Sequence, residues 1–291
     1  MKGLLSFFLF CCTLVSAQIK GVVVNSKGAP IPYVNIWVEN ENVGTTSDEN
    51  GAFQINIATS KTVIFSSVGF EIKRTVVKEN EKVMLQEAVY QLDEVAATKR
   101  KQDKELEIGD AKKIHHKQLS GDKPWIYGKL FEYNSEYSDT PYIKKIIFFS
   151  DSEKKGAKLK IRLFEFNDTL PTNDILTEDL IVTVGKGMKK NEIDISKYNL
   201  KFPEKGIVIG LEWLIIEENK YVFEYKDIQT KKRVRNEYYA PSLVVNYSKE
   251  EHSFDYSGGK WKRKKIFQTD KTDKPWYNNV MMPAINLILS N

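Results

Sequence analysis

Ile19-Lys20-Gly21-Val22-Val23-Val24, Pro30-Ile31-Pro32-Tyr33-Val34-Asn35-Ile36 and Gly44-Thr45-Thr46-Ser47-Asp48-Glu49-Asn50-Gly51-Ala52-Phe53 follow one another near the start of the chain. Each is a short run rich in β-branched residues and closed by turn formers, a pattern of strands rather than helices. Ile19 to Val24 stops at Asn25-Ser26-Lys27-Gly28, a loop able to host a positive φ at its glycine. Pro30 and Pro32 have no amide hydrogen for a ladder, which places them on an edge or at a strand entrance. Val34, Ile36 and Val38 alternate with Asn35, Trp37 and Glu39, the period of a half-buried strand. Asn50-Gly51 is a hairpin signal, and Phe53, Ile55 and Ile57 share one face of the strand after it. Thr62 to Ser67, Glu71 to Val77 and Lys82 to Leu85 bring the count to about seven strands, enough for a small sandwich.

These runs, together with Ser66-Ser67-Val68-Gly69-Phe70, resemble the carboxypeptidase-D regulatory-like domain, a transthyretin-like β-sandwich of bacterial envelope proteins. The resemblance covers residues 19–95 and implies an accessory module, not an enzyme. Leu92-Asp93-Glu94-Val95 is similar to the short sequence that follows this module in TonB-dependent nutrient receptors. It implies a shared envelope context rather than transport by this chain. Asp48, Glu49 and Asn50 lack the EF-hand glycine spacing and read as a hairpin tip, not a calcium loop.

Residues 1–17 read as a secretory signal. Lys2 supplies its positive start, Leu4 to Val15 its apolar core, and Val15-Ser16-Ala17 the small residues before a cut at Gln18. Cys11 and Cys12 follow Phe10 rather than a small residue, a poor fit to lipid attachment, so both are expected to leave with the signal. An exported mature chain without thiols then has no disulfide and no cysteine metal site. A formal charge of +5 over 291 residues is too mild for a dedicated nucleic-acid binder. No later run approaches the length of a membrane-spanning helix. The expected location is the periplasm or the outer-membrane cell surface.

Residues 96–123 mix Lys99-Arg100-Lys101, Lys104, Lys112-Lys113 and Lys117 with acidic residues and read as a solvated linker with a helical turn or two. From residue 124 to 291 aromatic and β-branched runs return. Trp125 to Tyr133, Tyr142 to Ser150, Lys158 to Phe166, Asp179 to Gly185, Asn191 to Ile195 and Gly206 to Glu218 come first. Lys220 to Tyr225, Ser242 to Tyr247, Gly259 to Phe267 and Pro283 to Leu289 follow. The expected fold class is therefore all-β: a seven-stranded sandwich at 18–95 and a jelly-roll-like sandwich at 124–291. Lys158 to Trp213 is similar, at the level of fold, to galactose-binding-like jelly rolls, for which carbohydrate binding is one function among many.

Catalytic signatures are thin. No Gly-x-Ser-x-Gly elbow, Walker loop or dinucleotide glycine loop occurs. His115 and His116 have Gln118 and Leu119 where a zinc carboxypeptidase needs glutamate, which argues against zinc peptidase chemistry and leaves no cofactor implied. Glu212, Glu217 and Glu218 lack a recognisable glycosidase partner spacing. Lys260-Trp261-Lys262-Arg263-Lys264-Lys265 is too polar to be core on both faces. Trp261, ringed by Lys260, Lys262, Arg263 and Lys264, is the candidate ligand surface. With Lys231-Lys232-Arg233 and Arg235 it offers cations to acidic glycans or lipid phosphates. Two readings stand: a non-enzymatic envelope protein binding a glycan or protein partner, and a hydrolase with scattered residues. Converging carboxylates in a pocket, or a network around His252, would favour the second.

Overall fold

The computed structural model describes residues 18–57, 61–88, 100–112, 116–271 and 273–291. The expected signal at 1–17, the Leu92–Val95 motif and His115 lie outside them. The protein is all-β, with short 3-10 turns as the helical elements among the described residues.

Seven strands build the N-terminal module, as the alternation predicts. Gln18–Val24 lies between Ala52–Asn56, antiparallel to it, and Glu81–Met84, parallel to it. A second sheet runs Gly44–Thr46, Asn35–Val38, Thr62–Ser66, Lys73–Val76. Ile19, Val23, Ile36, Val38, Phe53, Ile55, Phe65 and Val83 fill the space between them. Phe53 meets Phe65 edge to face at 5.6 Å. Gly51 turns the expected hairpin at φ 71°, where a Cβ would come 2.5 Å from the Val23 carbonyl oxygen. The Asp48 carboxylate accepts from the Asn50 and Ala52 amides at 2.8 and 2.9 Å, the work of an Asx turn.

The C-terminal sandwich has two seven-stranded sheets. In the first, Pro171–Asp174, Ala157–Phe166, Ile207–Trp213, Ile126–Phe131, Ser253–Ser257 and Lys260–Arg263 lie in that order, and Leu180–Val184 also pairs with Ala157–Phe166. In the second, the order is Val280–Pro283, Ser242–Ser248, Tyr142–Ser152, Ile285–Ser290, Glu105–Ile108. Gly187–Asp194 and Lys117–Gln118 attach to Tyr142–Ser152 and Ser242–Ser248. The main core lies between these sheets and includes Tyr127, Ile146, Phe148, Leu159, Ile161, Leu163, Leu211, Trp213 and Leu287. Lys220–Lys226 and Arg233–Tyr239 form a separate hairpin that pairs with neither sheet.

Two expectations change. Residues 105–108 and 117–118 were expected in a linker with helical turns, yet both are strands of the C-terminal sheet. Leu106 pairs opposite Leu289 and Ile108 opposite Leu287, so two apolar residues suffice to hold a short, charged edge strand. Strand Asn35–Val38 is buried on both faces, not one: Asn35 and Trp37 are 1% and 2% exposed. The same holds at Lys160 and Arg162, outward-facing on Ala157–Phe166 and still buried. The cause is shared, because the module's second sheet docks on the outer face of the first C-terminal sheet.

Candidate functional site

The docking seam carries buried charge. Arg162 pairs with Asp174 through two contacts, the Nε–Oδ1 bond being 2.8 Å, and its Nη1 stands 3.5 Å from Glu212 Oε2. Glu212 accepts from Asn35 Nδ2 across the seam at 2.6 Å. Lys160 Nζ donates to the Tyr33 carbonyl at 2.8 Å and pairs with Asp179 at 2.8 Å. Lys158 Nζ reaches the Tyr33 hydroxyl, and the Ile215 amide donates to Thr46 Oγ1. Leu214 and Ile216 pack on the Tyr33 ring. Burial opposes the charge of Arg162, but Asp174 and Glu212 more than offset this and hold its pKa above the ordinary value.

The hairpin Ser253–Ser257/Lys260–Arg263 drives its tip into this seam. Gly258 and Gly259, at φ 58° and 76°, let the backbone approach the module, where a Cβ on Gly259 would meet Ile64 at 2.8 Å. A cleft opens on each side of that tip. The larger, of about 730 Å³, is walled by Trp261, Phe164, Tyr256 and Arg162 from one domain and Ser67, Phe70 and Glu71 from the other. The smaller, of about 460 Å³, lies between Trp37 and Asn42 on one side and Trp125, Tyr238 and Asp255 on the other.

Trp261 is half-buried, edge-on to Phe164 at 4.9 Å and tilted against Tyr256 at 5.1 Å. Of the four cations expected to ring it, Arg263 alone shares its strand face. Arg263 lies over Phe254 and Phe166 at 5.0 and 5.6 Å. Lys264 pairs with Asp255 at 3.3 Å, Lys260 reaches Asn40 at 3.3 Å, and Lys262 is exposed. Strand alternation separates sequence neighbours onto opposite faces. Lys231, Lys232, Arg233 and Arg235 belong to the separate hairpin, not to the Trp261 surface. The cleft beside Trp261 is acidic instead, with Glu71, Glu165 and Asp174 against the single guanidinium of Arg162. Ser67 Oγ, in the buried wall, has no hydrogen-bond partner among the described residues.

The other sequence candidates fall apart in space. Glu212 is consumed by the seam, whereas Glu217 and Glu218 are exposed on a 3-10 turn. His116 packs against Tyr247 and Trp276. His252 lies between Glu132 and Glu250, each at 3.4 Å, in a third cleft of about 470 Å³ that also holds Asp110 and Lys129. Burial lowers the Lys129 pKa despite its contact with Asp110.

The seven-stranded module and its turns can now be set beside known families. Residues 19–97 match the family model of the CarboxypepD_reg-like domain. That regulatory-like domain contributes one wall of both seam clefts, through Ser67 and Phe70 to the larger and Trp37 to the smaller. No curated protein matches the chain. Among solved structures, the chain is similar to the clostridial cysteine protease Cwp84 after propeptide cleavage, at 10% identity and a TM-score of 0.38. That likeness covers 89% of this chain and 65% of the other. It is also similar to the cysteine protease and lectin-like domains of Cwp84, a surface layer associated protein of Clostridium difficile. There the identity is 10%, the TM-score 0.32, and the coverage 86% and 45%. The chain thus spans less than two thirds of either structure, and neither likeness assigns a function.

Asn35, Tyr33, Arg162 and Ser67 were not singled out by sequence, and Glu212 was weighed only as a glycosidase carboxylate. A signal did exist at Glu212, the one charge inside the otherwise apolar strand Ile207–Trp213, whereas Lys160 and Arg162 follow an ordinary alternation. Such an isolated charge stays in place only when something complementary covers it.

Proposed function

We propose that the protein is a non-enzymatic exported envelope protein that binds a neutral glycan in the cleft between its regulatory-like domain and its C-terminal sandwich. The observation that supports this is the cleft beside Trp261: an indole wall, hydroxyl groups from Ser66, Ser67 and Thr172, and the amide of Asn173. An aromatic wall with a few polar groups suits a sugar, whose ring carries both apolar faces and hydroxyls. The acidic lining disfavours the anionic glycans that the sequence alone suggested.

Isothermal titration of the full mature chain against a panel of neutral oligosaccharides tests the reading. Trp261→Ala is expected to weaken the best binder about fivefold to tenfold, from a stacking contribution of about 1 kcal/mol. Equal affinity of parent and variant, or no neutral binder in the panel, ends it.

The His252 cleft supports a second reading as a hydrolase, since a histidine between two carboxylates can relay protons. It is the weaker of the two. The Glu132 and Glu250 side chains are 66% and 70% exposed, and the lining residues include no serine, threonine or cysteine nucleophile. Turnover of a glycoside or ester lost in His252→Ala would favour it.

A further inference from the structure

The hairpin Lys220–Lys226/Arg233–Tyr239 is the part of the C-terminal domain that the glycan reading leaves unexplained. Its register places Tyr221 opposite Tyr238, Phe223 opposite Asn236 and Tyr225 opposite Val234, so one face of the ribbon is aromatic and aliphatic apart from Asn236. The other face carries Val222, Glu224, Lys226, Arg233, Arg235 and Glu237. The base is held: Tyr221 packs against the main core, the Tyr239 amide donates to Ser120 Oγ, and Lys154 Nζ donates to the Lys220 carbonyl. Exposure rises toward the tip. Val222, Phe223 and Tyr225 are 40%, 50% and 41% exposed, and Ile228 at the turn is 84% exposed.

Charge concentrates at the same end. Residues 220–239 hold six cations, Lys220, Lys226, Lys231, Lys232, Arg233 and Arg235, against Glu224, Asp227 and Glu237. Lys220 pairs with Glu237 at 2.9 Å and Arg235 lies 3.8 Å from Glu224. Lys226, Lys231, Lys232 and Arg233 make no ion pair among the described residues, and they flank Ile228 on both sides. The turn between them is ordered, with Asp227 accepting from the Thr230 hydroxyl at 2.7 Å and its backbone bonded to Lys231 and Lys232.

We propose that this hairpin docks tip-first on an anionic phospholipid surface. Ile228 enters the interface, Tyr225 and Phe223 follow at headgroup depth, and the four unpaired cations meet lipid phosphates. An apolar apex inside a cationic collar complements such a surface in both hydrophobicity and charge. The headgroup layer of such a surface sets phosphates directly above hydrocarbon, the order in which the cations and Ile228 stand at this apex. The inference is independent of the glycan cleft, which lies on other strands.

The test is co-sedimentation of the full mature chain with phosphatidylcholine vesicles, with and without phosphatidylglycerol. Binding is expected with phosphatidylglycerol alone and is expected to weaken as salt rises. Lys231→Glu with Lys232→Glu should reduce binding at least about 25-fold, about fivefold for each lysine lost. Ile228→Ser should reduce it several-fold without altering the salt dependence. None of these side chains belongs to a core, so unchanged circular dichroism keeps the comparison on folded protein. Lys186→Glu with Lys189→Glu, an exposed pair at the start of strand Gly187–Asp194, should bind as the parent does. The proposal is overturned if the parent ignores anionic vesicles, or if the control pair weakens binding as much as the hairpin pair. Concentration-dependent dimerisation abolished by Ile228→Ser, with no vesicle binding, would instead make the tip a contact between copies.

Discussion

Removing the Asn35 side chain is expected to loosen the seam between the two domains by a measurable and specific amount. Asn35 Nδ2 donates to Glu212 Oε1 at 2.6 Å, with the two residues 1% and 0% exposed, so water replaces neither partner. A hydrogen bond to a buried charge contributes about 1.5–3 kcal/mol, roughly twice a neutral one. Asn35→Ala should therefore cost about 1.5–3 kcal/mol. Glu212→Ala should cost more, about 3–5 kcal/mol, because it also strips Arg162 of its second carboxylate, 3.5 Å away. The double variant should fall short of the sum by the value of the bond, about 1.5–3 kcal/mol. The assay is urea unfolding followed by tryptophan fluorescence, with all four proteins at one pH and salt. Trp37 and Trp213, buried in different domains, report on both sides of the seam. A coupling energy below about 0.5 kcal/mol would refute the assignment, since separate sites add within that margin.

Asp255→Asn is expected to stabilise the protein at neutral pH. Burial lifts the Asp255 carboxyl pKa above its ordinary 3.8, against the opposing pull of Lys264 and Lys262. The folded state then holds the proton longer than the unfolded one, so a stability cost appears as pH rises from 3.8 through the raised value and is absent below 3.8. Thermal melts of parent and variant should converge in acid and separate at pH 7; a variant less stable at pH 7 contradicts the account. Gly69→Ala should destabilise more than Gly28→Ala. Both have positive φ, 83° and 79°, but a Cβ at Gly69 meets the Thr177 carbonyl oxygen at 2.5 Å while Gly28 faces open space. The left-handed backbone alone costs about 1 kcal/mol, and equal losses in denaturant melts would show that the Thr177 contact yields freely. Among the described residues, trypsin should cut first at Lys231 or Lys232, at the exposed tip, rather than at Lys104, which pairs with Asp139 beside a paired edge strand. Mass spectrometry of early fragments decides between them.

Sequence periodicity revealed the strands and their inner faces far better than it revealed what covers their outer faces. Leu159, Ile161 and Leu163 read as inward and are, at 0% exposure each. Lys160 and Arg162, the residues between them, read as water-facing and are buried as well. Alternation reports which side of a strand tolerates water, and a second domain can remove the water without changing the pattern. The short edges at 105–108 and 117–118 escaped for a different reason: protected edge strands are brief and charged, like linkers. The Trp261 surface was half legible. Its aromatic ring was placed at an accessible site, but adjacency in sequence was taken for adjacency in space, and β geometry sends Lys262 and Arg263 to different neighbours.

Both seam clefts depend on the same docking. Each has walls from both domains, so neither exists in a module standing alone. The Arg162–Asp174–Glu212–Asn35 chain contributes little net stability over an apolar seam, because desolvating its charges offsets most of their attraction. Its geometric demand is strict: only one relative placement of the domains satisfies Glu212 and Asn35 together. An apolar seam of equal area would tolerate sliding, and a slide of one strand register, about 3.3 Å, would carry Ser67 away from Trp261. The buried polar contacts therefore act on the site by fixing the two walls of the cleft against each other. A variant such as Asn35→Ala should accordingly weaken the proposed glycan binding at Trp261, read by the same titration, while leaving both hydrophobic cores intact.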